Sequence, residues 1–253
     1  MKQLFTIALL ISCLSLSAQI KTISILGDSN TWIGGDECNK PRGWNTWFAR
    51  SMPETKCYSY ARSGATWTHT PLTEHNTSEN IGVLGNNNVI SNQVYRLIDA
   101  VNAGKQSSPD LIIIMAGTND VWFNDKRPHA LDTVYSDSTR WMTLASAVKC
   151  NVELLRECFP TVSIALLTPM QTTAAELQKI TLAGDIIERQ GCEMGCNVLR
   201  MDRESCVKSE LERQRKHYTT DGTHTNAEGA RRNGRLVAKW INGLKSQYTE
   251  TQQ

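Results

Sequence analysis

The sequence predicts an α/β domain built on a mainly parallel sheet, and two observations carry that prediction. Short β-rich apolar runs alternate with longer segments of helical period. One of the runs, Leu111 to Met115, reads Leu-Ile-Ile-Ile-Met and is apolar on both faces, as a central strand covered by helices on each side must be. The 253 residues, 40% hydrophobic and 21% charged, suit one domain with a sizeable core and exclude disorder, collagen and a simple coiled coil. A net charge of +2, with Lys and Arg spread along the chain, argues against a nucleic-acid or acidic-membrane partner.

The elements follow in order. Lys2, the apolar stretch Leu4 to Leu14 and the small residues Ser15 to Ala18 form the three-part pattern of a secretory signal peptide. Cleavage near Ala18 would leave residues 19–253 as a single domain, periplasmic or secreted; Leu10-Ile11-Ser12-Cys13 also resembles a lipobox, and anchoring through Cys13 is the second reading. Strands are expected at Thr22 to Leu26, Cys57 to Ala61, Leu111 to Met115, Val162 to Leu167 and Asn197 to Met201. Helices are expected at Trp44 to Arg50, Asn92 to Ala103, Thr139 to Phe159, Ala174 to Gln190 and Asn226 to Ser246. Thr173 with Glu176, and Thr225 with Glu228, fit capping boxes, and Gly191 suits a left-handed helix stop. Leu236, Val237, Trp240, Ile241 and Leu244 make one apolar stripe on the last helix. His69 to Ser91 reads as a long surface loop, and His69, His75, His129 and His217 read as surface or loop residues.

Export permits disulfides, but without Cys13 seven cysteines remain, so a fully paired framework is excluded. Cys192 and Cys196 are close enough in sequence to bridge. Cys192, Cys196, Cys206 and His217 could bind zinc, although they lack paired C-x-x-C knuckles, and the expectation is a protein without metal or cofactor.

The chain contains no phosphate-binding glycine loop, no H-E-x-x-H and no G-x-S-x-G elbow. Ser29 instead follows the first strand in Gly27-Asp28-Ser29-Asn30-Thr31, at the sheet edge where open parallel sheets place their sites. A serine hydroxyl needs a base to take its proton, and the base needs a partner that fixes its tautomer. Asp221-Gly222-Thr223-His224 supplies such a pair within one turn, and the positive end of the final helix would help keep His224 neutral. Gly64, after the second strand, and Asn119, after the third, can offer donors to a developing oxyanion. Singly, each has a plain structural use: Ser29 as a cap, the glycines and Asn119 as turn formers. Their joint occurrence at successive strand ends favours a site.

These blocks resemble the SGNH, or GDSL, hydrolase superfamily: Gly27-Asp28-Ser29, Gly64, Gly117-Thr118-Asn119-Asp120 and Asp221-Gly222-Thr223-His224 occur in the family order. The resemblance implies a flavodoxin-like three-layer α/β/α sandwich with a five-stranded parallel sheet. It also implies Ser29 as nucleophile, His224 as base, Asp221 as its orienting partner, and an oxyanion hole of Ser29, Gly64 and Asn119. Asn30 stands where the family name has Leu, which weakens a lipase reading.

Trp32, Trp67 and Trp122 each lie three residues after one of these site residues, so all three could reach one rim and bind substrate. Export and the absence of an amphipathic lid favour an acylated glycan as substrate. The expected function is removal of acetyl or another short acyl group from a carbohydrate through an acyl-serine. A lysophospholipase or thioesterase on the same machinery, or a silent glycan-binding domain, are the alternatives.

Overall fold

The computed structural model describes residues 20–75 and 86–250. The expected signal peptide with Cys13, and residues 76–85 of the expected long loop, lie outside the described residues. Five strands, β1 (Thr22–Gly27), β2 (Lys56–Ser59), β3 (Leu111–Met115), β4 (Ser163–Leu167) and β5 (Asn197–Leu199), form one sheet in the order β2-β1-β3-β4-β5. Every pairing is parallel, with Ile23 opposite Leu111 and Leu111 opposite Ser163. The chain turns from one side of β1 to the other between β2 and β3, so the carboxyl ends of β1 and its neighbours frame a crevice.

Strand periodicity divides the core. Leu26, Ile112, Ile114, Ile164 and Leu166 face one cluster, and Ile23, Ile25, Ile113, Met115, Ala165 and Leu167 face the other. The first is covered by α3 (Ile90–Asn102), α5 (Leu144–Cys158) and α6 (Leu177–Glu193); the second by α2 (Trp44–Arg50) and α9 (Ala227–Glu250). This is the three-layer sandwich. Each fully buried Ile or Leu contributes about 1.5–3 kcal/mol by leaving water, so the two clusters are the main source of stability. Gly234 lets α9 approach α2 closely, because a Cβ there would collide with the Trp44 carbonyl. Of the expected stripe, Val237 and Ile241 are buried, while Leu236, Trp240 and Leu244 pack at its margin. No helix among the described residues is long and apolar enough to cross a membrane.

Four short helices, α1 (Ser29–Trp32), α4 (Thr118–Trp122), α7 (Met201–Glu204) and α8 (Ser209–Arg215), were not visible as periodicity because they span two turns or fewer. Three expected helix signals are corrected. Glu176, not Thr173, occupies the cap of α6, and the Thr173 N–H is bonded instead to the Gly222 carbonyl. At α9 the Asn226 side chain accepts from Gly229 N–H, while Glu228 turns outward to Arg231 and Arg232. Gly191 lies inside α6, where a Cβ would sit 2.8 Å from Leu166 and 2.9 Å from Val198; the left-handed residue is Gly195.

Candidate active site

The nucleophile candidate sits on a tight strand-to-helix turn. Gly27 passes so close to β3 that a Cβ would lie 2.5 Å from the Met115 carbonyl. Buried Gln93 of α3 clamps the same residue from both sides, accepting from Gly27 N–H at 2.8 Å and donating to its carbonyl at 2.9 Å. Asp28 caps α1 by accepting from Asn30 N–H at 3.0 Å, which leaves Ser29 as the first helical residue. Burial raises the Asp28 carboxyl to about 6 against the opposing effects of the Asn30 N–H, the His224 charge and the Thr118 hydroxyl.

The opposite wall is the turn before α9. His224 Nε2 is 2.8 Å from Ser29 Oγ, and His224 Nδ1 is 2.6 Å from Asp221 Oδ2. The other Asp221 oxygen accepts the N–H groups of Thr223 and His224 at 2.9 and 2.8 Å. Partial burial works against the charged carboxylate, but these bonds outweigh it and hold Asp221 below its usual range. A charged carboxylate only accepts, so Nδ1 carries the imidazole proton and Nε2 is left to accept from the serine hydroxyl. The turn needs Gly222 at φ +94°, where a side chain would also strike Thr173. Below it, buried Glu212 accepts the Tyr218 and Thr219 N–H groups at 2.8 and 3.2 Å, and the Thr172 and Thr223 hydroxyls meet at 2.6 Å.

The third wall joins the loops after β2 and β3. Gly64 has φ +72°, and Asn119 Nδ2 donates to the neighbouring Ala65 carbonyl at 2.9 Å. Among the described residues neither Ser29 N–H nor Gly64 N–H has an acceptor. Buried Asp120 receives Trp67 N–H, Thr68 N–H and the Thr68 hydroxyl at 3.1, 2.9 and 2.6 Å, which ties this loop inward. Gln93, Glu212 and Thr172 went unseen in the sequence because a buried polar anchor carries no spacing signal, and Asp120 stood there only as the last residue of the third block.

The tryptophan trio does not share a rim. Trp67 is fully buried in the core beside Leu26 and Val121, drawn in by the Asp120 bonds, and offers no face to a substrate. Trp122 is 47% exposed and stacks on Phe123. Trp32 is half-buried and lines a cavity of about 400 Å³ with Ile33, Lys40, Pro41 and Arg42. His69 is also not a surface residue: it is buried, stacked on Trp141 at 4.7 Å, with Nε2 2.8 Å from Ser91 Oγ. Burial lowers its pKa to about 4, helped by His75 and Arg127. Cys38, Cys57, Cys150, Cys158, Cys192, Cys196 and Cys206 are free thiols, so Cys192 and Cys196 do not bridge. Cys196 packs against one core cluster and Cys206 against the other, which separates the zinc candidates across the sheet.

Residues 25–232 match the model of the GDSL-like lipase/acylhydrolase family. The chain belongs to this family. It is accordingly a GDSL-type ester hydrolase, and the matched span contains all four sequence blocks. Solved structures share the fold. A protein from Lactobacillus plantarum superposes with a TM-score of 0.63 at 17% identity, covering 88% of this chain and 97% of its own. A lipase/acylhydrolase from Enterococcus faecalis gives 0.55 at 17% identity, covering 88% and 96%. A structure described as the acetyl xylan esterase AlAXEase gives 0.55 at 16% identity, covering 88% and 98%. No curated protein sequence matches the chain.

Proposed function

We propose that this GDSL hydrolase removes acetyl or another short acyl group from a carbohydrate through an acyl-Ser29 intermediate. The observation that carries the reading is the continuous line from Ser29 Oγ through His224 to Asp221, at 2.8 and 2.6 Å. Ser29 Oγ attacks the ester carbonyl as its proton passes to His224 Nε2, and Asp221 stabilises the imidazolium that results. Ser29 N–H, Gly64 N–H and the second Asn119 amide hydrogen are the donors for the oxyanion. His224 then returns the proton to the departing alcohol. Water, deprotonated by His224, attacks the acyl-serine and releases the carboxylic acid, so the reaction balances with water alone.

The sugar assignment is supported by the cavity lined by Trp32, Lys40 and Arg42, where an indole one helical turn from Ser29 can stack on a sugar ring beside two cationic side chains. The fold shared with an acetyl xylan esterase gives it a precedent. The leader-like residues 1–18 support placing the activity outside the cytoplasm, either soluble or anchored through Cys13.

The test is hydrolysis of aryl acetate, butyrate and octanoate, with acetylated xylan as natural substrate, by the protein and its Ser29→Ala variant. Acetate preference, acetate release from xylan and a loss of at least roughly 10³-fold in the variant are expected. Undiminished turnover by Ser29→Ala overturns the serine mechanism, and a steep preference for octanoate overturns the short-acyl assignment.

A further inference from the structure

We propose that the cavity beside Ser29 is an alcohol-side subsite selecting an acylated sugar that carries a carboxylate, an acetylated uronic acid residue. The inference rests on the ester-hydrolase reading above and deepens it. Which side of the ester the cavity serves follows from where the proton must go. His224 gives its proton to the leaving alcohol, so the alcohol lies on the His224 side of Ser29, away from the Gly64 and Asn119 donors. The cavity wall is bonded to that side: Arg42 donates to Thr220 Oγ1 at 3.0 Å, and Thr225 Oγ1 donates to the Arg42 carbonyl at 2.7 Å. These two bonds bracket the Asp221–His224 turn. Trp32 lies one helical turn from Ser29 and supplies the aromatic face on which a sugar ring stacks.

The cationic wall is held in place. The carbonyls of Lys40, Pro41 and Arg42 accept from Thr46 Oγ1 at 2.6 Å, Trp47 Nε1 at 2.9 Å and Thr225 Oγ1 at 2.7 Å. Lys40 N–H is itself bonded to the Gly34 carbonyl at 2.9 Å. Three consecutive anchored carbonyls fix where the exposed Lys40 and Arg42 side chains start, so little backbone ordering is left for binding. The carboxylates near this wall are engaged elsewhere: Asp36 with Arg62, Glu37 with Asn39 and Asp221 with His224. Among the described residues neither Lys40 nor Arg42 has a carboxylate partner. A planar guanidinium and an ammonium at the edge of an indole-lined cavity fit an acid group on the ring that carries the ester.

The experiment compares kcat/KM for acetylated glucuronate, acetylated glucose and a sulfated acetyl sugar, in the protein and in Lys40→Met and Arg42→Gln. Glucuronate is expected to be preferred over glucose by roughly tenfold, with the preference shrinking at high salt. In Lys40→Met, whose ammonium makes no hydrogen bond among the described residues, the preference should fall several-fold through KM while kcat for glucuronate holds. Because Arg42→Gln also touches the catalytic turn, calorimetric binding of unacetylated glucuronate and glucose to Ser29→Ala gives a readout free of turnover. Tighter binding of glucuronate there, weakened by adding Lys40→Met, supports the subsite even if Ser29→Ala retains turnover and the serine mechanism falls. Equal binding of the two sugars, or a glucuronate preference indifferent to Lys40→Met, overturns it. A preference for the sulfated sugar overturns the uronic acid assignment.

Discussion

Asp28 caps α1 from a buried position at the end of β1, and burial is what raises its carboxyl to about 6. Asn at this position can accept the same Asn30 N–H without a charge. Keeping a carboxyl raised to about 6 ionised at neutral pH costs about 3 kcal/mol, so Asp28→Asn should be more stable by an amount of that order. The same charge attracts the His224 imidazolium, so kcat should fall several-fold in the variant. Chemical denaturation and steady-state kinetics on one preparation check both halves. Asp221→Asn presents the complementary case: an amide can donate to Nδ1 and favour the other tautomer, and kcat should fall by roughly 10⁴-fold with little change in KM. Retention of more than a tenth of kcat would show that the half-exposed carboxylate is not needed to orient the ring.

At the level of elements, the turn before α9 is the most exacting piece of backbone in the site. Gly222→Ala places a methyl at φ +94° against Thr173, whose N–H donates to the Gly222 carbonyl at 2.9 Å. It should cost about 1–3 kcal/mol and displace His224 from Ser29, so thermal unfolding and kcat should drop together. A variant with unchanged kcat would mean that the turn relaxes without moving the imidazole. The same elements show what a sequence can and cannot tell. The strand β3 and helix α2 were legible to the residue, because apolar runs and helical period are local signals. The caps were not: Thr173 and Thr225 have the right chemistry and spacing, but tertiary partners, the Gly222 carbonyl and the Arg42 carbonyl, claim their groups. Ser29, Asp221 and His224, which form one hydrogen-bonded line, were legible as a group because Ser29 stands at a strand end and the other two flank a glycine turn. Trp67 was misread because burial depends on Asp120, 53 residues further on.

Across the whole molecule, two buried groups pull stability in opposite directions over overlapping pH windows. The native Asp28 keeps its proton up to about 6 while the unfolded chain loses it near 3.8, so the native state binds more protons and stability falls as pH rises through that window. His69 is the reverse. The unfolded imidazole gains its proton near 6.5 but the native one only at about 4, so stability rises with pH across that range. Their contributions partly cancel in the protein. Asp28→Asn should therefore expose a rising profile between pH 4 and 6.5, and His69→Phe, which keeps a ring on Trp141, a falling one. Urea unfolding across that range decides it; parallel slopes in the two variants would refute the account.

The contact between Ser29 and His224 closes a loop of 195 residues; β2 to β5 lie within it, and β1 ends just before it. Contacts so remote in sequence form late, because the entropy of joining distant segments is met only when the intervening structure is in place. Ester hydrolysis is thus a report on completed folding. A nascent chain that has released Ser29 but not yet His224 holds an inert hydroxyl, so synthesis itself delays the hydrolase until its scaffold is whole.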